Sequence, residues 1–381
     1  MKSIIVTLKT NVDKQDLLKN IGFISEDILE YTLVDSTLCV NVSDEANELD
    51  IEEKLRFYIS KFVSSDHDEI LYYFDDSSRS YYDDIYESME DIHYFGHENV
   101  AFGGAAKFLF DFFDSKFEKI ALDFGAKSKM YPVLLPVEAY KKTGYLKRSP
   151  QYAIFCCNTF EDIDKLEDLQ HNIQDNNIQL SLKQPTFALS PSACFHTYLE
   201  YENTVLNSDS VFTFCQNVFR NEGRFNFSEI GRLMDYHVRE IVMIGSNDFV
   251  STVREVFLNK LVTLITDWGL CFSVNIASDP FIMPKIQKFK KIQKIEKLKY
   301  EVKLNCNSSH KISVASFNLH GSAFTEPFNI KVKNNDNTVT GCIGLGMERW
   351  VLAFICQYGV EPLKWPEEIK NAYYKENAYN E

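Results

Sequence analysis

Two short segments in the second half of the chain hold the residue types best suited to chemistry. Arg220 and Glu222 stand two positions apart at the end of an apolar, strand-like run, so their side chains share one face, because side chains alternate along a strand. Farther on, Gly344 and Gly346 let the backbone pass close to a ligand, and Arg349 follows with a planar guanidinium that suits phosphate. Two cations and an anion in this order indicate a site that binds a nucleotide and stabilises charge on its phosphates.

A long β-hairpin is predicted to position the first of these segments. Residues 211–222 and 233–244 are both strand-like, and the loop between them contains Gly223 and Gly231. Two such strands can hold one nucleotide between them. The second segment runs into the apolar residues 350–356, which are predicted to form a helix behind the site.

Both segments resemble motifs of the class II aminoacyl-tRNA synthetases. Motif 2 of that class has Arg-x-Glu, a variable loop, and then an arginine four residues before an aromatic ring. The matching residues are Arg220, Glu222, Arg232 and Tyr236, with tyrosine in place of the usual phenylalanine. Motif 3 ends in Gly-x-Gly-x-Glu-Arg, as residues 344–349 do. The resemblance implies an α+β fold, in which an antiparallel sheet is flanked by helices.

Several further runs resemble one branch of that class, the amino acid:[carrier protein] ligases. Those enzymes are truncated relatives of archaeal-type seryl-tRNA synthetases. The matching runs are residues 192–195, 239–245, 277–281, 298–301, 316–320 and 341–344. The resemblance implies ATP-dependent activation of a small amino acid as an aminoacyl-adenylate, followed by transfer to the phosphopantetheine thiol of a carrier protein. It also implies a homodimer that uses no tRNA.

The same resemblance implies a role for each motif residue. Arg220 would grip the α-phosphate of ATP and then the amino acid carboxylate, and Arg349 would bind the γ-phosphate and the leaving pyrophosphate, which makes these two the predicted catalytic residues. Glu222 would hold the adenine amino group or orient Arg220. Arg232 would approach the γ-phosphate or the adenine edge, and Tyr236 would stack on adenine. A plain surface ion pair between Arg220 and Glu222 is the alternative interpretation.

Metal ligands follow partly from the resemblance. In the related ligases two cysteines and a glutamate hold zinc, and a fourth position stays open for the substrate amino group; Cys194, Glu240 and Cys342 occupy the matching places. Two thiolates and a carboxylate suit Zn²⁺. Their spacing alone is too long to indicate a metal site, so without the motifs they would be interpreted as core thiols and an ion-paired glutamate.

A second metal site is predicted on neighbouring strands. Glu301 is a candidate Mg²⁺ ligand between the β- and γ-phosphates, because Mg²⁺ prefers one or two carboxylates together with water and phosphate oxygens. Ser316 and Asn318 share one face of another strand and would complete the lining, Ser316 toward ATP and Asn318 toward the amino acid. Ordinary polar strand residues are an equal alternative for all three.

Composition limits the partners. The 381 residues contain no apolar run long enough to span a bilayer and no signal-like start, so a cytoplasmic protein without a membrane partner is predicted. Nine cysteines in such a chain favour thiols or metal ligands over disulfides. A net charge of −15 has the wrong sign for a general nucleic-acid binder, which weighs against tRNA.

Three regions are predicted along the chain. Residues 1–64 read as a small α/β extension, residues 65–91 as an acidic, tyrosine-rich linker, and residues 92–381 as the catalytic domain. The first region has no sustained heptad and no basic excess, so it lacks the signature of a tRNA-binding arm. Two alternative functions stay open: a seryl-type aminoacyl-tRNA synthetase or tRNA-dependent ligase with an unusual recognition domain, and a non-catalytic synthetase paralogue.

Overall fold

The computed structural model describes residues 2–9, 12–61, 69–96, 98–227, 229–279 and 281–378. The strands are β1 (Lys2–Thr7), β2 (Ile28–Val34), β3 (Thr37–Val42), β4 (Ile70–Phe74), β5 (Ile92–Gly96), β6 (Asn99–Phe102), β7 (Lys127–Ser128), β8 (Leu134–Pro136), β9 (Ile154–Cys156), β10 (Phe187–Leu189), β11 (Val205–Leu206), β12 (Ser210–Phe219), β13 (Asp235–Gly245), β14 (Phe272–Ile276), β15 (Lys299–Asn305), β16 (Lys311–Gly321), β17 (Lys331–Val332) and β18 (Val339–Gly346). The α-helices are α1 (Lys14–Asn20), α2 (Glu48–Ile59), α3 (Ile85–Ser88), α4 (Gly104–Asp123), α5 (Val137–Lys142), α6 (Tyr145–Arg148), α7 (Ile163–Gln174), α8 (Phe195–Glu200), α9 (Asn247–Asp267), α10 (Gln287–Ile295), α11 (Met347–Tyr358) and α12 (Glu367–Asn377).

An eight-stranded sheet organises the larger part of the chain. Its strand order is β4-β14-β15-β16-β18-β13-β12-β7, and every neighbouring pair is antiparallel except β7 and β12. Helices α4, α9 and α11 cover one face, where Phe113, Phe117 and Trp350 form part of the largest buried cluster. The predicted α+β fold, an antiparallel sheet flanked by helices, is confirmed.

The two faces of this sheet carry different clusters of side chains, because side chains alternate between the faces along each strand. On β13, Ile241 and Met243 belong to the helix-covered cluster, whereas Val242 belongs to a second cluster on the opposite face. Glu240 shares that second face, since it is two positions from Val242. Opposite it in the pairing register stands Gly344 of β18, where a Cβ atom would lie only 3.1 Å from Oε2 of Glu240, so the glycine leaves room for this carboxylate.

Within residues 2–9 and 12–59, three strands form a separate sheet in the order β1-β3-β2. Its apolar face packs with α1 and α2 around Leu17, Leu38 and Leu55, which are fully buried. Helix α2 begins after Asn47, whose side chain accepts a hydrogen bond from the amide of Asp50, a normal N-cap. The small α/β unit therefore has a core of its own, and the proposed domain limits remain predictions.

The segment predicted as a linker differs from that description. Residues 65–68 lie outside the described residues, but Ile70–Phe74 forms β4 at the edge of the large sheet, paired with β14. Farther on, the Tyr86 hydroxyl accepts a hydrogen bond from the amide of Gly231 at 3.2 Å. The uninterrupted apolar and aromatic residues of β4 have high strand propensity, which outweighs the acidity of the surrounding segment.

The predicted hairpin is present as β12 and β13, but its strands are shorter than expected at the end that carries the connecting loop. Strand β12 ends at Phe219, so Arg220 and Glu222 lie in the connecting loop. The Arg220 amide still donates to the carbonyl of Met234 at 2.8 Å, which continues the pairing for one more residue. Within the described part of the chain, no helix is both long and apolar enough to cross a membrane.

Candidate active site

A single cavity of about 1110 Å³ lies on the sheet face opposite α4, α9 and α11. Its lining includes every residue that the sequence assigned to ATP, amino acid or metal: Cys194, Arg220, Glu222, Arg232, Tyr236, Glu240, Glu301, Ser316, Asn318, Cys342 and Arg349. These residues come from β13, β15, β16 and β18, from the loop between β12 and β13, and from the starts of α8 and α11. Their proximity is a fact of the structure, and the individual roles stay predictions.

At one end of the cavity, two guanidinium groups face the same aromatic ring. Tyr236 is buried, and its ring centre lies 5.9 Å from Cζ of Arg220 and 4.7 Å from Cζ of Arg349. Backbone carbonyls orient both arginines: Arg220 Nε donates to Pro191 O at 2.8 Å, and Arg349 Nε donates to Gly231 O at 2.9 Å. The arrangement leaves a flat surface edged by fixed positive charge.

Glu222 is an anion held between two cations. Only 6% of its surface is exposed, and its Oε2 accepts a hydrogen bond from Arg232 Nη1 at 3.2 Å. Its Oε1 lies 3.9 Å from Arg349 Nη2, an atom that is buried and makes no hydrogen bond to any described residue. Arg232 is also held by Glu229 at 2.9 Å. Arg349 therefore keeps a donor available for a ligand.

Between the ends of the cavity lies a charge cluster that the sequence analysis missed. Lys299 is buried, and its Nζ contacts Asp279 Oδ1 at 3.0 Å and Glu301 Oε1 at 3.3 Å. Burial by itself would raise the pKa of Glu301, but the positive charges of Lys299 and Lys303, together with the hydrogen bond from Lys299, outweigh it and the pKa is lowered. The signal for Lys299 was its position two residues before Glu301 on one strand, which puts both on one face.

Strand register brings the predicted polar residues of β15, β16 and β18 together. Glu301 pairs with Ser316, and Lys299 pairs with Asn318. On the other side of β16, Asn318 stands opposite Cys342. Directly opposite residues point to the same face, so a continuous polar stripe crosses three strands toward the cysteine end.

At that end, Cys194, Glu240 and Cys342 offer ligand atoms that all lie within 4.8 Å of one another. Their exposed fractions are 2%, 3% and 6%. The thiol of Cys194 is 3.3 Å from the Ser192 hydroxyl, and Oε1 of Glu240 is buried without a hydrogen-bond partner among the described residues. Burial, followed by the neighbouring Cys194, raises the pKa of Glu240. A buried carboxylate without a partner is costly, so this donor set fits a metal ion.

A histidine next to this group was also missed by the sequence analysis. His320 Nε2 lies 3.6 Å from Cys342 Sγ, and its Nδ1 is 3.1 Å from the Thr340 hydroxyl and 3.3 Å from that of Tyr198. Burial lowers the pKa of His320 to about 4, so the ring is neutral near pH 7. Its place two residues after Asn318 on β16 was the available signal.

Comparisons with known proteins place the fold. No protein-family model matches the chain. The chain is 27% identical over 256 residues to the type-2 serine–tRNA ligase of Methanococcus aeolicus, which covers 64% of this chain and 49% of that protein. Among solved structures, it resembles the seryl-tRNA synthetase of M. kandleri in complex with A. aeolicus tRNASec, with a TM-score of 0.72, 18% identity and coverage of 99% of this chain and 78% of that one.

A second solved structure also resembles the fold of this chain. The cytoplasmic serine–tRNA ligase of Naegleria fowleri, in complex with AMP, has a TM-score of 0.60 at 11% identity and covers 86% of this chain and 70% of that one. The fold is that of the class II aminoacyl-tRNA synthetases. The chain spans about half the length of the curated relatives it matches.

These findings correct the predicted partner. The proteins matched here are serine–tRNA ligases, and one was solved with tRNASec, so the predicted carrier-protein partner and the predicted absence of tRNA are both wrong. The narrower resemblance to the carrier-protein ligases is likewise not supported. The argument from net charge failed because −15 is a sum over the whole chain, whereas binding of a nucleic acid depends on local charge. Exposed Lys285, Lys288 and Lys291 lie in and just before α10, beside the cavity.

Proposed function

We propose that this chain activates an amino acid with ATP to form an aminoacyl-adenylate and transfers the aminoacyl group to tRNA. The observation that carries the proposal is the single cavity with two arginines facing Tyr236 at one end and the Cys194, Glu240 and Cys342 group at the other. One end suits a nucleotide and the other suits an amino group. Serine is the first amino acid to test, because the matched relatives are serine–tRNA ligases.

In the first step, a carboxylate oxygen of the amino acid attacks the α-phosphorus of ATP, and the bond to the β-phosphate oxygen breaks to release pyrophosphate. Arg220 would stabilise the negative charge that develops around the α-phosphorus. Arg349, with its uncommitted Nη2, would bind the γ-phosphate and then the leaving pyrophosphate. Tyr236 offers adenine an aromatic face. Glu222 holds Arg232 in place, and the pair would complete the adenine and γ-phosphate contacts.

A zinc ion fits the buried donor set of Cys194, Glu240 and Cys342. Two thiolates and one carboxylate leave a fourth tetrahedral position. A zinc ion bound there would hold the substrate amino group unprotonated, and so would select amino acids by that group. Asn318, next to Cys342, would contact the same substrate. This proposal gives Glu240 the partner that its buried Oε1 otherwise lacks.

Magnesium is assigned to the other metal role. Glu301 would bind Mg²⁺ between the phosphates, with Ser316 beside it in the pairing register. Lys299 already neutralises part of the charge of Glu301, at 3.3 Å. We therefore expect a weak site that forms only when the ATP phosphates supply further oxygens.

In the second step, a ribose hydroxyl at the 3′ end of tRNA attacks the carbonyl carbon of the adenylate, and AMP leaves. The approach of a polyanion to this cavity is supported by exposed Lys285, Lys288 and Lys291, since positive charge near the entrance attracts phosphates. The lysines belong to the stretch around α10, whose Phe289 and Ile292 reach the cavity wall.

The experiment is amino acid-dependent exchange of labelled pyrophosphate into ATP, followed by charging of total tRNA with the labelled amino acid. We expect exchange with one small amino acid, serine being tested first, and acid-precipitable charging of tRNA with the same one. Absence of exchange with all twenty amino acids in a folded, zinc-replete preparation would refute the proposal. Exchange without charging would keep the first step and remove the second.

A further inference from the structure

The small N-terminal unit, residues 2–59, contacts the loop that holds Arg220, Glu222 and Arg232. Arg224 Nη2 donates to the carbonyl oxygens of Ser25 and Glu26 at 3.0 and 3.1 Å. The ring of Phe225 meets Tyr31 edge-on, with centres 5.4 Å apart. The loop between β12 and β13 is therefore held against the N-terminal unit by hydrogen bonds and by aromatic packing.

One of these contacts brings a lysine to the nucleotide end of the cavity. Asn226 Nδ2 donates to the carbonyl of Lys19 at 2.8 Å and to the carbonyl of Glu222 at 2.6 Å, so a single side chain joins the two backbones. Lys19, the penultimate residue of α1, lines the same cavity as Arg232 and Arg349.

We propose that Lys19 is a further substrate-binding residue, whose ammonium group contacts the β- and γ-phosphates of ATP and the pyrophosphate that leaves. The inference rests on the proposed function and extends it to the N-terminal unit. That unit would then be the outer wall of the ATP site, and the Asn226 bridge would couple the position of this wall to that of Glu222.

The electrostatic surroundings favour a polyanion over a simple ion pair. Lys19 is exposed to solvent, but partial desolvation by the cavity wall lowers its pKa, as do the positive charges of Arg232 and Lys303, which together outweigh the opposite effect of Glu229 and Glu301. The carboxylates nearby already have cationic partners, since Glu229 pairs with Arg232 at 2.9 Å and Glu301 pairs with Lys299 at 3.3 Å. Several cations that converge without enough anions form a site for phosphate groups.

The test compares Lys19→Met with wild type by measuring the dissociation constants of ATP and of AMP. We expect about tenfold weaker binding of ATP, the size of one lost charge-assisted hydrogen bond, and unchanged binding of AMP, which lacks the β- and γ-phosphates. Lys19→Arg should recover most of the loss, because it restores a positive charge. The matched control is Lys54→Met, on the exposed face of α2 and paired with Asp50, which should bind ATP as wild type does.

Each outcome separates the inference from the function on which it rests. If wild type binds ATP and Lys19→Met binds it equally well, Lys19 has no such role and the proposed function is untouched. If Lys19→Met weakens ATP and AMP alike, and Lys19→Arg does not recover binding, Lys19 acts on the structure of the loop and the inference is wrong. If wild type itself binds no ATP, both proposals fail together.

Discussion

At the nucleotide end of the cavity the charged side chains stand mostly on a loop, whereas at the cysteine end two of the three candidate ligands stand on strands. Arg220, Glu222 and Arg232 lie between β12 and β13: Glu222 and Arg232 form an ion pair, Arg220 donates to the carbonyl of Pro191, and Asn226 links this loop to the N-terminal unit. Glu240 and Cys342 lie within paired strands, where register sets the distance between them. Strand register therefore fixes the cysteine end, whereas side-chain contacts within and around the loop fix the nucleotide end.

The two ends also differ in how their charges are satisfied. Glu222 is neutralised by Arg232, at 3.2 Å, before any ligand arrives. Glu240 is buried, and Oε1 has no hydrogen-bond partner in the described ranges. The ion pair of Glu222 with Arg232 stabilises the loop without a ligand, whereas the buried group of Cys194, Glu240 and Cys342 would be stabilised by a bound cation. The following experiments probe this difference from the largest expected effect to the smallest.

Removal of either arginine at the nucleotide end of the cavity should strongly slow activation of the amino acid. We expect Arg220→Ala or Arg349→Ala to slow pyrophosphate exchange by a factor on the order of 100 to 1,000, because each removes a fixed cation that stabilises transition-state charge, worth about 3–4 kcal/mol. The metal content should not change, since both arginines lie at the other end. Arg56→Ala, an exposed arginine on α2 paired with Glu52, is the matched control and should exchange normally. Near-normal exchange in either active-site variant would contradict the assigned roles.

Removal of one thiol should release the metal ion from the group of Cys194, Glu240 and Cys342. We expect the isolated protein to contain about one zinc ion per chain and Cys342→Ala to lose it, because two remaining ligands bind zinc far more weakly than three. Elemental analysis measures the content directly, and circular dichroism checks the fold. Cys215→Ala is the control, because this cysteine lies on β12 but belongs to the opposite, helix-covered face. Zinc that stays bound to Cys342→Ala, or a metal-free wild type, would refute the site.

Charge reversal at the lysines beside the cavity should affect neither the nucleotide end nor the cysteine end of the cavity. We expect the triple variant with glutamate at Lys285, Lys288 and Lys291 to slow tRNA charging about tenfold at low salt, with pyrophosphate exchange unchanged, because lost phosphate contacts weaken only the nucleic-acid encounter. The difference should shrink as salt rises. An equal change of charge at three lysines outside the cavity is the control: Lys54, Lys141 and Lys183. A triple variant that charges tRNA as wild type does would remove α10 from the tRNA surface.

The charge cluster between the two ends should give a small pH effect. Burial alone would raise the pKa of Asp279, but Lys299 and Gln293 outweigh it and lower the pKa from 3.8 to about 2. The stabilisation is therefore complete above about pH 4 and is lost as the pH falls through about 2. Asp279→Asn should flatten this part of the stability curve, measured by urea unfolding between those pH values. Exposed Asp336→Asn is the control, and an identical slope in Asp279→Asn and wild type would exclude the pair as a source of acid sensitivity.

Local sequence patterns were sufficient for the hairpin, whereas the roles of the site residues came from motif resemblance and stay predictions. The strand-like, apolar residues 211–222 and 233–244 predicted β12 and β13, because strands with buried clusters on both faces are rich in apolar residues. The predicted strand extends to Glu222, three residues beyond the end of β12, because polar residues that follow an apolar run give the same sequence pattern whether they are paired or in a loop. The motifs placed two arginines and the cysteine–glutamate group in one site before their distances were known.

Tertiary structure alone decided which distant residues join them. Lys19 lies 213 positions before Arg232 and has no local pattern that distinguishes it from an ordinary polar residue, and the contact of His320 with Cys342 depends on the pairing of neighbouring strands. The prediction that tRNA is not a partner was also wrong, because net charge sums over a surface whose parts carry different local charges. Periodicity is set by neighbours along the chain and can be read from it, whereas the meeting of separate segments is set by packing and register, which a linear pattern does not contain.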